Sequence, residues 1–280
     1  MCCCRHFIRV NTLLIVLLLV SLAFPALSPA VNFYTGGRLA EGFYLNLYPY
    51  WYSADRQTGN DGKAIINNLG LTKYGVLIGG SYYIGNLLLN VNIPVGGATI
   101  SLVGEDDAGL GDVQLRAGYF LPIKVVTILP ALAVKAPTGS YDSHNKVNLG
   151  DGQTDILAEV YLNKIFTRFA VDALLKYSKR LRNGDTNSTP GNEFAAEGLV
   201  TYKFCDDFRL GPSASFVVGD DNKKGGLTAG NSGLMKLAAG AELAYRGFER
   251  AKISFVVLQD VYSRNTAEGT LVTGRINLPF

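Results

Sequence analysis

The sequence predicts an all-β chain, an up-and-down transmembrane barrel of about twelve antiparallel strands. Three observations carry that prediction. Apolar and polar residues take turns along segments of roughly ten to fourteen residues, the period of an extended strand with unlike faces. The connections between segments alternate between short and long. Aromatic residues gather near the short ones. Composition agrees: hydrophobic residues make up 48 % and charged residues 18 %, with 32 Gly, 15 Tyr and 14 Phe against one Trp. The charged share lies below the usual quarter. Mean hydropathy is only +0.16, and Tyr and Thr suit strands better than helices.

The first segment stands apart. "MCCCRHFIRV" carries Arg5 and Arg9, "NTLLIVLLLVSLAF" is apolar, and "PALSPA" ends in small residues. This tripartite pattern predicts a secretory signal peptide over residues 1–30, cleaved after Ala30. Its apolar run is about 14 residues, short of the roughly 20 that a spanning helix needs. Cys2, Cys3 and Cys4 leave with it, so only Cys205 remains and no internal disulfide forms. None of the early cysteines follows the apolar run, which argues against a lipid anchor. Losing Arg5 and Arg9 from 26 basic residues leaves 24 against 23 acidic ones. That near balance offers no footing for nucleic acid.

Residues 31–42, "VNFYTGGRLAEG", are an N-terminal segment expected either to fold into the barrel as a small plug or to lie in the periplasm. The barrel is expected over residues 43–280. Its strands are read at 43–54, 68–83, 86–96, 108–121, 124–136, 152–163, 166–180, 192–204, 207–219, 233–247, 249–261 and 267–280. In "TRFAVDALLKYSKR", Phe169, Val171, Ala173, Leu175 and Tyr177 oppose Arg168, Asp172, Lys176, Ser178 and Arg180. "GQTDILAEVYLN" and "GDVQLRAGYFL" repeat the pattern. At the last strand Ile276, Leu278 and Phe280 oppose Thr273, Arg275 and Asn277, and Pro279 fits only a strand terminus or edge.

"DRQTGNDGKA", "GGATISLVGEDDA", "PTGSYDSHNKVNLGD", "LRNGDTNSTPG", "DDNKKGGLTAGN" and "SRNTA" are the long, polar connections. "IGN", "PIK", "KIF", "CDD" and "RGF" are the short ones. In outer-membrane barrels short turns face the periplasm and long loops face outside. Tyr82, Tyr83, Tyr119, Phe120, Phe166, Phe169, Tyr202, Phe204, Phe208, Tyr245, Phe248 and Phe280 fall near the short turns, as an interfacial girdle does. Tyr48, Tyr50, Trp51, Tyr52 and Tyr177 fall toward the other rim. Phe280, at the end of the last strand, is expected to be the signal read by the outer-membrane assembly machinery.

If the apolar faces meet lipid, the opposite faces form the wall of a lumen. The candidate solute path is Asp112, Gln114, Arg116, Asp155, Glu159, Asp172, Lys176, Arg180, Glu193, Glu197, Lys203, Glu242, Arg246 and Arg275, with Lys135, Arg209, Lys236 and Lys252 in the same set. Both signs are mixed. Such charges either pair across the interior and stiffen the barrel or line a path. Twelve strands lie between eight, which side chains nearly fill, and sixteen, which leave an aqueous channel, so a narrow lumen is expected.

No enzyme constellation emerges. His144 lies in the longest loop beside Ser140 and Ser143, the minimum of a Ser–His hydrolase, but a loop supplies neither a fixed base nor an oxyanion hole. "GEDDAG" and "GDDNKKGG" carry acids without calcium-loop spacing. Cys205, beside two carboxylates, is disfavoured as a thiolate. The sequence therefore predicts no catalytic residue, no metal site and no cofactor. Lipid and a small solute are the expected partners.

"GLGDVQLRAGYFLP", "LPALAVKAPTGSYD" and "NLGDGQTDI", with "EGFYLNLYPYWYSADRQTGNDG" and "LAAGAELAYRGFERAKISFVV", carry a family resemblance over residues 35–280. The chain resembles the outer-membrane proteins named for the meta-pathway of phenol degradation. It departs at Glu41-Gly42, where that family usually has Pro-Gly, and at Phe216, where a Tyr is usual. The resemblance implies a porin-like barrel, often encoded near aromatic catabolism and proposed to pass hydrophobic molecules. The expected role is passive uptake of small, hydrophobic or aromatic molecules across a Gram-negative outer membrane. The alternative is a structural or adhesive surface barrel with a blocked lumen.

Overall fold

The computed structural model describes residues 36–246, 248 and 251–280. The signal peptide and residues 31–35 lie outside the described residues. The strands are β1 Gly42–Thr58, β2 Ala64–Ile84, β3 Leu87–Ile100, β4 Glu105–Leu110, β5 Gln114–Tyr119, β6 Thr127–Lys135, β7 Asp155–Ile165 and β8 Phe169–Arg180. They continue as β9 Ser188–Thr189, β10 Glu193–Lys203, β11 Phe208–Gly219, β12 Lys223–Lys224, β13 Leu227–Thr228, β14 Met235–Tyr245, β15 Lys252–Arg264 and β16 Ala267–Pro279.

The barrel is closed by β1 against β16, paired antiparallel from Tyr44↔Pro279 to Gln57↔Ala267. Closure removes the sheet edge, so backbone polar groups along the seam pair across it, as lipid requires. β4 and β5 both pair with β3 and form one interrupted crossing. The result is a closed barrel of twelve antiparallel crossings, as predicted. β9, β12 and β13 form a separate small sheet among the long loops.

The predicted strands differ from the observed ones where pairing outruns pattern. The fourth, read as unbroken over 108–121, is split at residues 111–113. Pro94 of β3 stands there. It accepts a hydrogen bond from Gly111 N at 2.9 Å but has no N–H to return. Three connections read as long loops are tight turns. β3 and β4 are separated by residues 101–104, β1 and β2 by 59–63, and β15 and β16 by Asn265–Thr266. Asn265 takes the left-handed conformation there, with φ 53°, which Asn tolerates better than most residues.

The two faces sort as the alternation demands. On β16, Thr273, Arg275 and Asn277 are buried inside the barrel. Outward faces are apolar: Leu132, Leu175, Val200, Leu243 and Val257 are all exposed. The girdle at the short-turn end consists of packed rings. Phe43 meets Phe280 at 5.9 Å, Phe169 meets Tyr202 at 5.2 Å, and Phe208 meets Tyr245 at 4.7 Å. Phe280 N also donates to Phe43 O at 3.0 Å.

Two expected girdle members point inward instead. Tyr83 and Phe120 are buried, at 8 % and 2 % exposure. In a doublet on a strand only one ring can face lipid, and Tyr82 and Tyr119 hold those places. Of the five aromatics at the other rim, Tyr48, Tyr50 and Tyr52 share the inward parity of β1. Tyr50 crosses two glycines in register. A Cβ on Gly75 would stand 2.7 Å from its hydroxyl, and one on Gly96 would stand 3.0 Å from it and 2.0 Å from Tyr74 O. Gly96→Val is therefore expected to destabilise the barrel by about 2 kcal/mol through overpacking. The midpoint of urea unfolding in detergent measures it, and an unchanged midpoint would refute the close approach.

Candidate functional site: the lumen and its two ends

Three charge clusters are layered along the inside of the barrel. At the long-loop end, Lys135 on β6 forms ion pairs with Asp151 and with Asp155, the latter at 2.7 Å. Arg180 on β8 reaches Asp151 at 3.2 Å and Glu193 on β10 at 2.7 Å. Asp151 belongs to the loop between β6 and β7, so this cluster clamps a loop to the wall. Burial raises the Asp151 carboxyl, but Lys135, Arg180 and Lys73 outweigh it and hold its pKa below the ordinary value. A depressed carboxylate contributes stability above its unfolded pKa, and that contribution is lost as pH falls through the folded one. The Asp151 ion pairs are therefore expected to persist at pH 5 and to break only below about pH 4. Proteolysis of the loop by an acid protease across that range in the Asp112→Asn variant, which removes the titration of Asp112, tests this; loosening already at pH 5 would contradict the clamp.

Beside it, Lys236 on β14 donates to Asp260 on β15 at 2.8 Å and to the Tyr52 hydroxyl at 2.9 Å. Tyr52 donates in turn to Asp260 at 3.0 Å. Halfway down, Arg116 on β5 donates twice to Glu159 on β7, at 2.5 and 3.2 Å, and once to Asn90 on β3 at 2.8 Å. Its guanidinium stacks 5.6 Å from the centre of the Tyr161 ring.

The short-turn end is different. Tyr44, Tyr83, Leu88, Phe120, Leu129, Tyr161, Leu174 and Leu199 form an apolar cluster inside the barrel, against which Leu39 packs. Residues 36–41 are tied there by several bonds. Arg38 donates to Gly85 O at 2.5 Å, and Glu41 accepts from Gly85 N at 2.8 Å. The Tyr44 hydroxyl donates to Ala40 O at 3.1 Å. A Cβ on Gly36 would stand 2.9 Å from Cβ of Tyr161, an inward residue. Leu39 also borders a small hollow with Arg246, Lys252 and Arg275.

Of the sequence-predicted wall residues, Gln114, Arg116, Asp155, Glu159, Asp172, Lys176, Arg180, Glu193, Glu197, Glu242 and Arg275 lie on inward positions of their strands. So do Lys135, Arg209, Lys236 and Lys252. Three candidates stand at the ends of the wall. Asp112 sits in the break between β4 and β5, and its carboxylate accepts Gly139 N at 3.0 Å and Asp151 N at 2.8 Å. Lys203 turns to Asp206 in the next turn, at 2.6 Å. Arg246 lies past the end of β14, its backbone N–H donating to Asp207 O at 2.8 Å, and borders the hollow with Lys252 and Arg275. Lys203 keeps the inward parity of β10, whereas Asp112 and Arg246 lie outside the strands and take their partners from neighbouring loops and turns.

Sequence reading missed Lys73, Tyr52, Asp151, Tyr161 and Asp260. Strand parity alone marks Lys73 and Asp260 as inward. Lys73 was hidden because its inward neighbours on β2 are Leu71 and Gly75, which read as an apolar face. Asp151 is a loop residue, so no periodicity points to it.

The loop acids and His144 are engaged locally. His144 Nδ1 lies 2.9 Å from Asp142 Oδ1, while Ser140 gives its hydroxyl to Asp107 at 3.1 Å. Glu105 accepts Lys146 N at 2.5 Å, and Asp221 accepts Ser232 N and Gly233 N, each at 2.7 Å. These carboxylates bind loop backbone to loop backbone. Among the described residues no group of three or more His, Cys, Asp or Glu is arranged to hold a metal ion.

Comparison with known proteins bears on the fold first. The barrel superposes on an outer membrane channel from Pseudomonas putida F1 with a TM-score of 0.79 at 18 % identity, covering 89 % of this chain and 100 % of that one. It resembles the NanC porin more distantly, with a TM-score of 0.50 at 12 % identity, covering 84 % and 98 %. No curated protein matches the sequence. A family model does, over residues 52–276, nearly the whole barrel, and the chain belongs to the family described as "Putative MetA-pathway of phenol degradation".

Proposed function

We propose that the protein is a Gram-negative outer-membrane channel for passive uptake of small molecules, hydrophobic or aromatic ones in particular. The long loops face outside and the short turns face the periplasm. The reading rests on one observation above the others. A closed barrel with an apolar exterior holds a cavity of about 330 Å³ inside its outer half, lined by both apolar and charged residues. A barrel that served only to anchor its loops has no use for such a space. Below the cavity the lumen narrows through the Arg116–Glu159 layer to the apolar cluster, where residues 36–41 act as a plug. Family membership and the likeness to an outer membrane channel support the same reading. No motif supplies an energy source, so transport follows the gradient. The protein is not an enzyme on this reading, and His144→Ala is expected to change no hydrolytic activity.

Conductance of the refolded mature chain (residues 31–280) in a planar lipid bilayer tests the proposal, repeated with residues 31–42 deleted. Discrete steps in either form support a channel. Steps that appear or enlarge on deletion identify the plug. Silence in both forms would favour the second reading, a surface barrel with a blocked lumen, for which the buried apolar cluster around Tyr83 and Phe120 speaks.

Phe280 stands on the lipid face at the periplasmic rim, at 79 % exposure, where assembly machinery has access to it. Deleting it is expected to lower the amount of assembled barrel in cells several-fold, while refolding from urea into detergent stays close to normal. Equal losses in both settings would make Phe280 a structural residue rather than an assembly signal.

A further inference from the structure

The cavity in the outer half has a definite chemistry. Leu71, Ile100, Val147 and Pro190 line it. Leu71 and Val147 are buried, and Leu71 continues into an apolar cluster with Tyr52, Ala54 and Leu69. One part of the cavity wall is therefore hydrocarbon. Its volume of about 330 Å³ lies at the lower end of small-molecule sites.

Charge is added on one side. The lining includes Lys73, Lys146, Asp151 and Arg180. Asp151 and Arg180 bind each other, and Lys135 and Glu193 complete their coordination. Lys73 differs: among the described residues its ammonium makes no ion pair and no hydrogen bond. It stands on β2 between Tyr52 of β1 and Ala98 of β3 in register, on the inward parity of the strand. Asp151 acts on its charge only from beyond bonding distance, and an ammonium held inside a barrel without a bonded carboxylate is costly unless something else solvates it. Lys146, at the rim of the same cavity, also brings an ammonium without an ion pair among the described residues. The nearby carboxylates are already occupied by Lys135 and Arg180.

We propose that this cavity binds an amphiphilic monoanion, a carboxylate on a compact aromatic or aliphatic body, with Lys73 as its counter-ion. The body lies on Leu71, Ile100 and Val147, and the carboxylate accepts from Lys73 Nζ. The proposal rests on the channel reading for its biological meaning, since the bound anion is then a solute in transit. The site itself stands or falls separately. A neutral hydrocarbon of the same shape loses the charged contact, and a small inorganic anion loses the apolar one. The pairing of the two distinguishes this class from general porin traffic.

The test is equilibrium binding to the refolded mature chain in nonionic detergent, by calorimetry against empty micelles. The probes are benzoate, hexanoate, benzyl alcohol and chloride. Benzoate and hexanoate are expected to bind, with benzyl alcohol and chloride at least about tenfold weaker, the scale of one charge-assisted hydrogen bond. Lys73→Met is expected to weaken benzoate by about tenfold or more, and Lys73→Arg to retain most of it. Heat-dependent gel mobility reports whether each variant folds. If Lys73→Met does not fold, Leu71→Asp tests the apolar side and is expected to weaken benzoate similarly. Benzoate that binds no better than benzyl alcohol, or equally to wild type and Lys73→Met, overturns the proposal. Carboxylate binding without conductance would retain the site and remove the channel, whereas conductance without selective binding would do the reverse.

Discussion

Arg116→Ala is expected to destabilise the barrel by about 3–5 kcal/mol, the range for breaking a buried ion pair from one side. Arg116 and Glu159 have side-chain exposures of 15 % and 2 %. Removing the guanidinium leaves the Glu159 carboxylate with the Tyr161 hydroxyl, which donates to it at 3.0 Å. It also strips Asn90 Oδ1 of its donor and uncovers one face of the Tyr161 ring. Arg116→Lys restores a charge but not the two-pronged bond to Glu159, so it should recover only part of the loss. The double variant Arg116→Met, Glu159→Gln removes both charges while keeping volume, and should lie closer to wild type than Arg116→Ala. Urea unfolding in detergent, followed by the loss of heat-dependent gel mobility, measures all three. An Arg116→Ala midpoint equal to wild type would mean that water or neighbouring lysines already screen the pair.

The second large effect concerns opening. The loop of residues 136–154 reaches over the cavity and is held by Asp112, whose two oxygens accept Gly139 N and Asp151 N. It is also held by Leu149 N donating to Asp107 at 2.9 Å and by the Asp151 clamp. Hydrogen bonds to a charged group contribute roughly 1.5–3 kcal/mol each. Asp112→Ala removes two and leaves two backbone donors without partners. The loop should then leave the wall more often, which has two readouts. Trypsin cleavage at exposed Lys146 should accelerate at least tenfold, and bilayer conductance should rise or become noisier. Asp112→Asn keeps one acceptor and should fall between. Faster cleavage with unchanged conductance would show that the loop does not control the path.

The twelve crossings were legible because lipid on one side and polar residues on the other impose period two over long runs. "TRFAVDALLKYSKR" shows it most plainly: β8 begins at Phe169 and ends at Arg180, within a few residues of the reading. The girdle was legible as a region but not ring by ring. Tyr82 and Tyr83 look alike in composition, and only strand parity sends one to lipid and the other into the apolar cluster. The paired charges were legible as inward positions and not as pairs. Asp155 and Arg180 are neighbours because β7 and β8 register Asp155↔Arg180, and register depends on both strands and the turn between them.

What the sequence by itself determined is the alternation, the approximate number of crossings, the end at which each connection lies and the mixed charge of the inward faces. Those follow from local rules, since a residue's face is set by its own strand. What only the tertiary structure decided is long-range. Asp151 comes from a loop to join Lys135 and Arg180, Asp112 stands in a strand break to hold that loop, and Lys73 makes no bonded ion pair among the described residues, beside a partly apolar cavity. Residues 36–41 lie against Tyr161, over a hundred positions away in the chain. Each of these depends on closing the sheet into a barrel, which brings β1 onto β16 and encloses a space that no segment describes alone.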